Sequence, residues 1–341
     1  MDTPWTAYMQ VGLVHFMMYP EAMQGNDDVL ASIERVAADP FFEVLEITRI
    51  NNPEVRQQVR DVADVARLEL GFGAQPGVLM NKLNTAALDE AARQAAVADV
   101  KASIDQAYEH GCRLLAMIDG LESWPGEAHK ARALDQVTRS LDELCAYAEQ
   151  RAKNYLLTVS LETFDRSIEK KSLLGPTRDA VDVARRVRER HDNFGLTIDL
   201  SHLPLLRETP RQALTLAKDY LVHTHIGNCQ MRDPSLPSYG DKHPRFGAPG
   251  TENDSDDLAE FLTVLLEIGF FKKKLPTRRP VVTFEVRPLP NERQDILLAN
   301  CRRVMEEAWA KVHAPRRAAP RRSPIAGRAP GGQAAESGVR S

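Results

Sequence analysis

Residues 195–203 read GLTIDLSHL and residues 221–229 read LVHTHIGNC. Each is a short apolar run that finishes on groups able to bind a proton or a metal: Asp199 with His202, and His223 with His225. The flanking segments repeat the pattern. LLTVSLE at 156–162 finishes on Glu162, and VVTFEVR at 281–287 carries Glu285 with Arg287. Nearly continuous apolar runs between polar or Gly boundaries are the signature of parallel strands buried on both faces.

Working outward, the same reading gives strands at Gln10–Met17, Phe42–Thr48, Leu68–Phe72, Leu114–Ile118, Leu156–Glu162, Leu196–Leu200, Leu221–Ile226 and Val281–Val286. Amphipathic patterns at three- and four-residue spacing lie between and after them. They predict helices at Asp27–Ala38, Leu88–His110, Leu134–Arg151, Thr177–His191, Asp256–Gly269 and Glu292–Val312. Eight strands alternating with helical segments predict an α/β fold, a single (β/α)8 barrel over residues 8–313. The alternative is an open doubly wound sheet. No GxGxxG turn follows the first strand and no GxxxxGK[ST] loop is present, so neither nucleotide signature supports it. The stretch 227–253 has little periodicity. Long loops of that kind are usually functional or disordered, and in a barrel this one follows strand seven on the C-terminal face, where active sites are built.

Composition narrows the function classes. The chain has 44 Lys plus Arg and 48 Asp plus Glu, a net charge of −4. Residues 314–341 hold six Arg and one Glu, so the remaining 38 basic and 47 acidic residues leave the body at −9. An acidic body is a poor electrostatic partner for nucleic acid. The tail is rich in Pro, Gly, Ala and Arg, has almost no large apolar residue, and is expected to be disordered. No run approaches the roughly 20 apolar residues of a membrane span. Met1–Gln10 lacks the basic-then-apolar pattern of a secretory signal. Cys112, Cys145, Cys229 and Cys301 form no CxxC pair, which excludes a thiolate zinc finger and suits a reducing cytoplasm.

The strand ends carry the chemistry. Gathering several carboxylates at one end of a barrel costs several kcal/mol unless a cation compensates them. Glu162, Asp199, His225 and Glu285 therefore read as ligands of one divalent ion. Three oxygen donors and an imidazole suit Mn2+ or Mg2+, with Co2+ or Zn2+ as alternatives. His223 reads as packing near the barrel. His15, at the end of the first strand, is a candidate either for the pocket wall or for core packing.

These segments resemble the xylose isomerase-like barrel superfamily of sugar isomerases, ketose epimerases and apurinic endonucleases. The resemblance spans about residues 8–312 and rests on Glu162, Asp199-x-x-His202, His225-x-Gly227-x-Cys229 and Glu285. It implies a sugar or keto-sugar substrate and a metal that polarises a carbonyl and stabilises the developing enediolate. Glu162 and Glu285 would be the acid and base, His202 would orient a hydroxyl, and Arg287 would hold a more distant oxygen. The family's substrate-binding Arg corresponds to Arg232, which is displaced by one residue. Asp241-Lys242-His243 with Gly247 is similar to the endonuclease branch's DRHxxxG segment, where the Asp and His bind a further zinc; here Asp241 and His243 are candidates for substrate contact or, equally, for a hydrogen-bonded pair within the loop. That branch's strand-two and strand-three histidines are absent: VLEITR and LELGFGAQ offer Glu46 and Gln75 instead.

The leading expectation is thus a metal-dependent isomerase or epimerase. A keto-glycoside lyase, which shares the first proton abstraction, an apurinic endonuclease-like enzyme and a non-catalytic sugar-binding subunit stand as alternatives. Homo-oligomers occur in barrels of this type, and one chain's sequence leaves that open.

Overall fold

The structure is a computed structural model and describes residues 3–25 and 29–312. The expected unfolded tail, 314–341, lies outside the described residues.

Eight parallel strands close in chain order: β1 (Gln10–Val14), β2 (Val44–Ile47), β3 (Glu69–Gly73), β4 (Leu114–Met117), β5 (Thr158–Glu162), β6 (Phe194–Asp199), β7 (Leu221–Gly227) and β8 (Val281–Glu285). β8 pairs back onto β1, with Gln10 opposite Val281. Every residue of β1, β2, β4, β5, β6 and β8 is buried, as continuous apolar strands require when side chains fill the barrel on one face and helices cover the other. The fold is a (β/α)8 barrel.

Helices at Val29–Ala37, Glu90–Glu109, Lys130–Arg151, Thr177–Arg188, Ser255–Glu267 and Gln294–Val312 match the amphipathic patterns. Each turns an apolar stripe onto the strands; Val137, Leu141 and Leu144 are one such row. Two crossover helices are additional to those six, Pro53–Ala66 and Pro210–Ala217. Both open with proline, which suits a first turn whose N–H has no intrahelical partner. Asn52 caps the first by accepting from the Glu54 amide at 2.9 Å. Thr209 and Gln212 close a reciprocal capping box on the second.

One feature departs from the sequence pattern, and a second, the long segment after β7, agrees with it. β1 ends at Val14, three residues early, because the chain turns into a short helix, His15–Met18. That turn sends the His15 side chain outward, where Nε2 lies 2.8 Å from Ser32 Oγ and the ring stacks on Tyr19. The long segment after β7 has a folded course without a helix or strand of its own. A bridge joins Gln230 to Gly240, the Asn253 amide donates to the Leu200 and Gly227 carbonyls at 3.2 and 3.0 Å, and Phe246 is buried edge-on against Phe284. It closes over the C-terminal end of β6–β8.

Candidate metal centre and cavity

Strand register brings the ligand-type residues together. Asp199 on β6 is opposite His225 on β7, and Gly227 on β7 is opposite Glu285 on β8. Gly227 is required by close approach: a Cβ there would sit 2.7 Å from the Glu285 carbonyl and 2.8 Å from His243 Nδ1. Glu162, Asp199, His225 and Glu285 each offer a ligand atom, and these four atoms lie within 4.8 Å of one another. His225 Nδ1 is 3.2 Å from Glu162 Oε1 and 2.8 Å from Glu285 Oε2. Asp199 receives the Ser201 amide on Oδ1 at 2.7 Å, while its buried Oδ2 has no hydrogen-bond donor. Burial pushes the Asp199 carboxyl above its usual range. Three buried carboxylates with an orphaned oxygen and a convergent imidazole fit a divalent cation, and oxygen-rich donor sets of this kind take hard ions.

Glu46 on β2 completes this arrangement, a residue whose role strand-end reading passes over. Its Oε2 lies 3.0 Å from His225 Nε2 and its Oε1 lies 2.7 Å from His223 Nε2. A carboxylate on Nε2 leaves the Nδ1 lone pair for the metal, the usual way a second partner fixes a ligand imidazole. Burial alone would raise the Glu46 carboxyl, but the two imidazoles outweigh it and hold it well below the normal range. His223 therefore works as a partner of Glu46 inside the barrel. Gln75, just past β3, donates to Glu162 Oε2 at 2.8 Å and orients that carboxylate.

A second cluster adjoins the first. His202 Nε2 and His243 Nε2 both approach Asp241 Oδ1, at 3.1 and 2.9 Å. Burial opposes their protonation, but the Asp241 and Asp199 carboxylates raise His202 to about 10, and Glu285 with Asp241 raises His243 to about 9.

Above both clusters is a cavity of about 150 Å3. One wall is apolar, with Phe16, Met17, Met23, Leu79 and Phe164; the other holds Lys170, Asp241, His243, Glu285 and Arg287. Of the residues singled out by sequence, Asp241, His243, Glu285 and Arg287 thus line the cavity, and His202 is buried beneath it. Arg232 is elsewhere: it is exposed and pairs with Glu252 at 3.2 Å. His15 is likewise outside the lining, held by Ser32.

The model of the xylose isomerase-like TIM barrel family matches residues 34–296. The chain belongs to that family. No curated protein sequence matches it. Among solved structures it is similar to D-psicose 3-epimerase from Clostridium cellulolyticum H10, solved with D-tagatose, at 19% identity and a TM-score of 0.60 over 89% of this chain and 97% of that one. A 3-keto-D-glucoside 4-epimerase from E. coli gives 15% identity and a TM-score of 0.63, covering 87% and 99%. A family 2 AP endonuclease from Brucella melitensis gives 16% and 0.59, covering 85% and 96%. At these identities the likeness is one of fold, and it reaches proteins named for different activities. Among the described residues no helix is long and apolar enough to cross a membrane.

Proposed function

We propose that the protein is a divalent-metal-dependent sugar or keto-sugar epimerase or isomerase that moves a proton beside a carbonyl. The observation that supports this reading is that Glu162 and Glu285 both approach His225 Nδ1, at 3.2 and 2.8 Å, with Glu285 also lining the cavity. Glu162, Asp199, His225 and Glu285 would hold Mn2+ or Mg2+, with Co2+ or Zn2+ as alternatives. When bound, such an ion supplies Lewis-acid polarisation of the carbonyl and charge compensation for its ligands.

The chain's own groups would do the rest. Glu285, at the cavity wall, takes or returns the proton on the carbon beside the carbonyl, and Glu162 serves as the opposite partner. Gln75 keeps Glu162 Oε2 occupied, so that Oε1 is the oxygen facing His225. Arg287, exposed at the rim, and His243, in the cavity wall, would hold more distant substrate oxygens. The buried, unpaired cysteines and the acidic body fit a cytoplasmic enzyme of small molecules better than a nucleic-acid enzyme.

The apolar wall favours a second reading. A free ketose offers only the small apolar faces of its C–H groups, whereas a wall of Phe16, Met17, Met23, Leu79 and Phe164 would also suit a sugar carrying an apolar substituent, the substrate of a keto-glycoside lyase. One experiment tests both. Full-length protein is incubated with Mn2+ in deuterium oxide with a panel of ketoses and aryl keto-glycosides, followed by NMR. Deuterium entry beside the carbonyl with epimer formation supports the first reading; release of the aglycone supports the second. Exchange should fall by about 10^2–10^4-fold in Glu285→Gln, the usual worth of a positioned acid–base group. Catalysed exchange that survives undiminished in Glu162→Gln and Glu285→Gln would remove both residues from the proposed chemistry.

A further inference from the structure

The second cluster contains a cation of its own. His202 Nδ1 lies 2.7 Å from the Thr163 carbonyl and His243 Nδ1 lies 3.1 Å from the Glu285 carbonyl. A carbonyl oxygen only accepts, so each Nδ1 carries its proton, and each Nε2 is the atom aimed at Asp241. Asp241 Oδ1 lies 3.1 Å from His202 Nε2 and 2.9 Å from His243 Nε2, and Asp199 has a ligand atom within 4.8 Å of those of the same two histidines. Two imidazoles and a carboxylate are a donor set that borderline divalent ions accept.

Lys170 reaches into this set. Its Nζ is 2.8 Å from Asp241 Oδ2, and its side chain is 14% exposed. The ammonium also lies 3.5 Å from Glu169 Oε1, and the loop that carries it is fixed from several directions. Asp165 accepts the amides of Ile168, Glu169 and Lys170 at 2.6, 2.8 and 2.7 Å, which fixes the loop after β5. Glu169 accepts the Asp241 amide at 2.9 Å and pairs with Lys242, which ties that loop to the one after β7. The Lys170 carbonyl accepts from the Glu122 amide at 2.7 Å.

We propose that Lys170 is a tethered monovalent cation that meets the charge demand of the Asp241 carboxylate and so excludes a second divalent ion from Asp241, His202 and His243. The ammonium neutralises the carboxylate such an ion needs and repels the ion itself. The consequence is chemical. One ion suits proton transfer beside a carbonyl, whereas a pair of neighbouring ions is the arrangement that clamps both oxygens of a displacement at phosphorus.

The test is a difference in metal count and needs no substrate. Metal-free full-length wild type, Lys170→Met and Lys170→Arg are saturated with Zn2+ and freed of excess by gel filtration. Bound zinc per chain is then measured by atomic emission. Lys170→Met should hold about one ion more than wild type, Lys170→Arg the same number as wild type, and Lys170→Met/His243→Ala should lose the extra ion. Lys170→Gln, which keeps a donor for Asp241 without the charge, replaces the Met variant if circular dichroism shows that one unfolded. Equal counts in wild type and the folded neutral variant overturn the proposal. So does a wild-type ion that disappears with His243→Ala. A gain in the neutral variant when wild type binds no ion supports the role of Lys170 while removing the metal reading of Glu162, Asp199, His225 and Glu285.

Discussion

Glu46→Gln should weaken metal binding although Glu46 is not one of the four residues whose ligand atoms converge. The carboxylate accepts from two imidazoles, His223 at 2.7 Å and His225 at 3.0 Å, in a fully buried site. Glutamine has one accepting oxygen, so its amide nitrogen must face one of the rings. If it faces His225, the ring favours the tautomer with the proton on Nδ1, the atom that otherwise lies 3.2 Å from Glu162 and 2.8 Å from Glu285. Hydrogen bonds to charged groups are worth about 1.5–3 kcal/mol each, and one neutral bond remains in the variant. The expected effect on the centre is a 10–100-fold rise in the metal's Kd, about 1.4–2.7 kcal/mol, the range seen for outer partners of ligand histidines. Competition with a chromophoric chelator at fixed pH measures it. A double-mutant cycle locates it: in a His225→Gln background, Glu46→Gln should cost little further affinity, because the ring it orients is gone. A folded Glu46→Gln protein with Kd within about twofold of wild type would refute the coupling of Glu46 to the centre.

The same geometry makes two further predictions. Gly71 on β3 lies beside Glu46, and a Cβ there would sit 2.9 Å from Glu46 Cγ; Gly71→Ala should lower metal affinity in the same direction as Glu46→Gln and cost about 1–3 kcal/mol of overpacking, both read by chelator competition and thermal melting. Stability of the metal-free protein should peak near neutral pH. His202 and His243, raised to about 10 and about 9, bind more protons folded than unfolded above the ordinary histidine range, so their stabilisation is present below about 6.5 and lost as pH rises through 9 to 10. His15 and His110, lowered by burial to about 3 and about 4, stabilise only while neutral, and that contribution is lost as pH falls below about 6.5. Melting curves of the metal-free chain that climb steadily from pH 7 to about pH 9 would contradict the first half of this.

The sequence carries the barrel and the four convergent residues for a common physical reason. A strand buried on both faces must be apolar, so Glu162, Asp199, His225 and Glu285 stand out as exceptions at the ends of such strands, and register then fixes their neighbours. Glu46 obeys the same rule at the end of VLEI, yet strand position alone assigns it no role, because that role lies in contacts with His223 and His225 nearly 180 residues away. The rule misplaces His15 because β1 stops at Val14 and the next residue already belongs to a helix that leaves the barrel. It is silent on Lys170, a lysine in a loop of ordinary composition whose meaning comes from an amide clasp by Asp165 and a partner in another loop. Arg232 shows the converse: motif spacing singles it out, but its nearest counter-charge, Glu252, holds it outside the cavity lining. Residues on the closed parallel sheet are thus readable because alternation and register leave them few directions. Residues on the loops above it are set by pairings such as Lys170 with Asp241 that no local pattern encodes, and those loops form the charged wall of the cavity where substrate choice would be made.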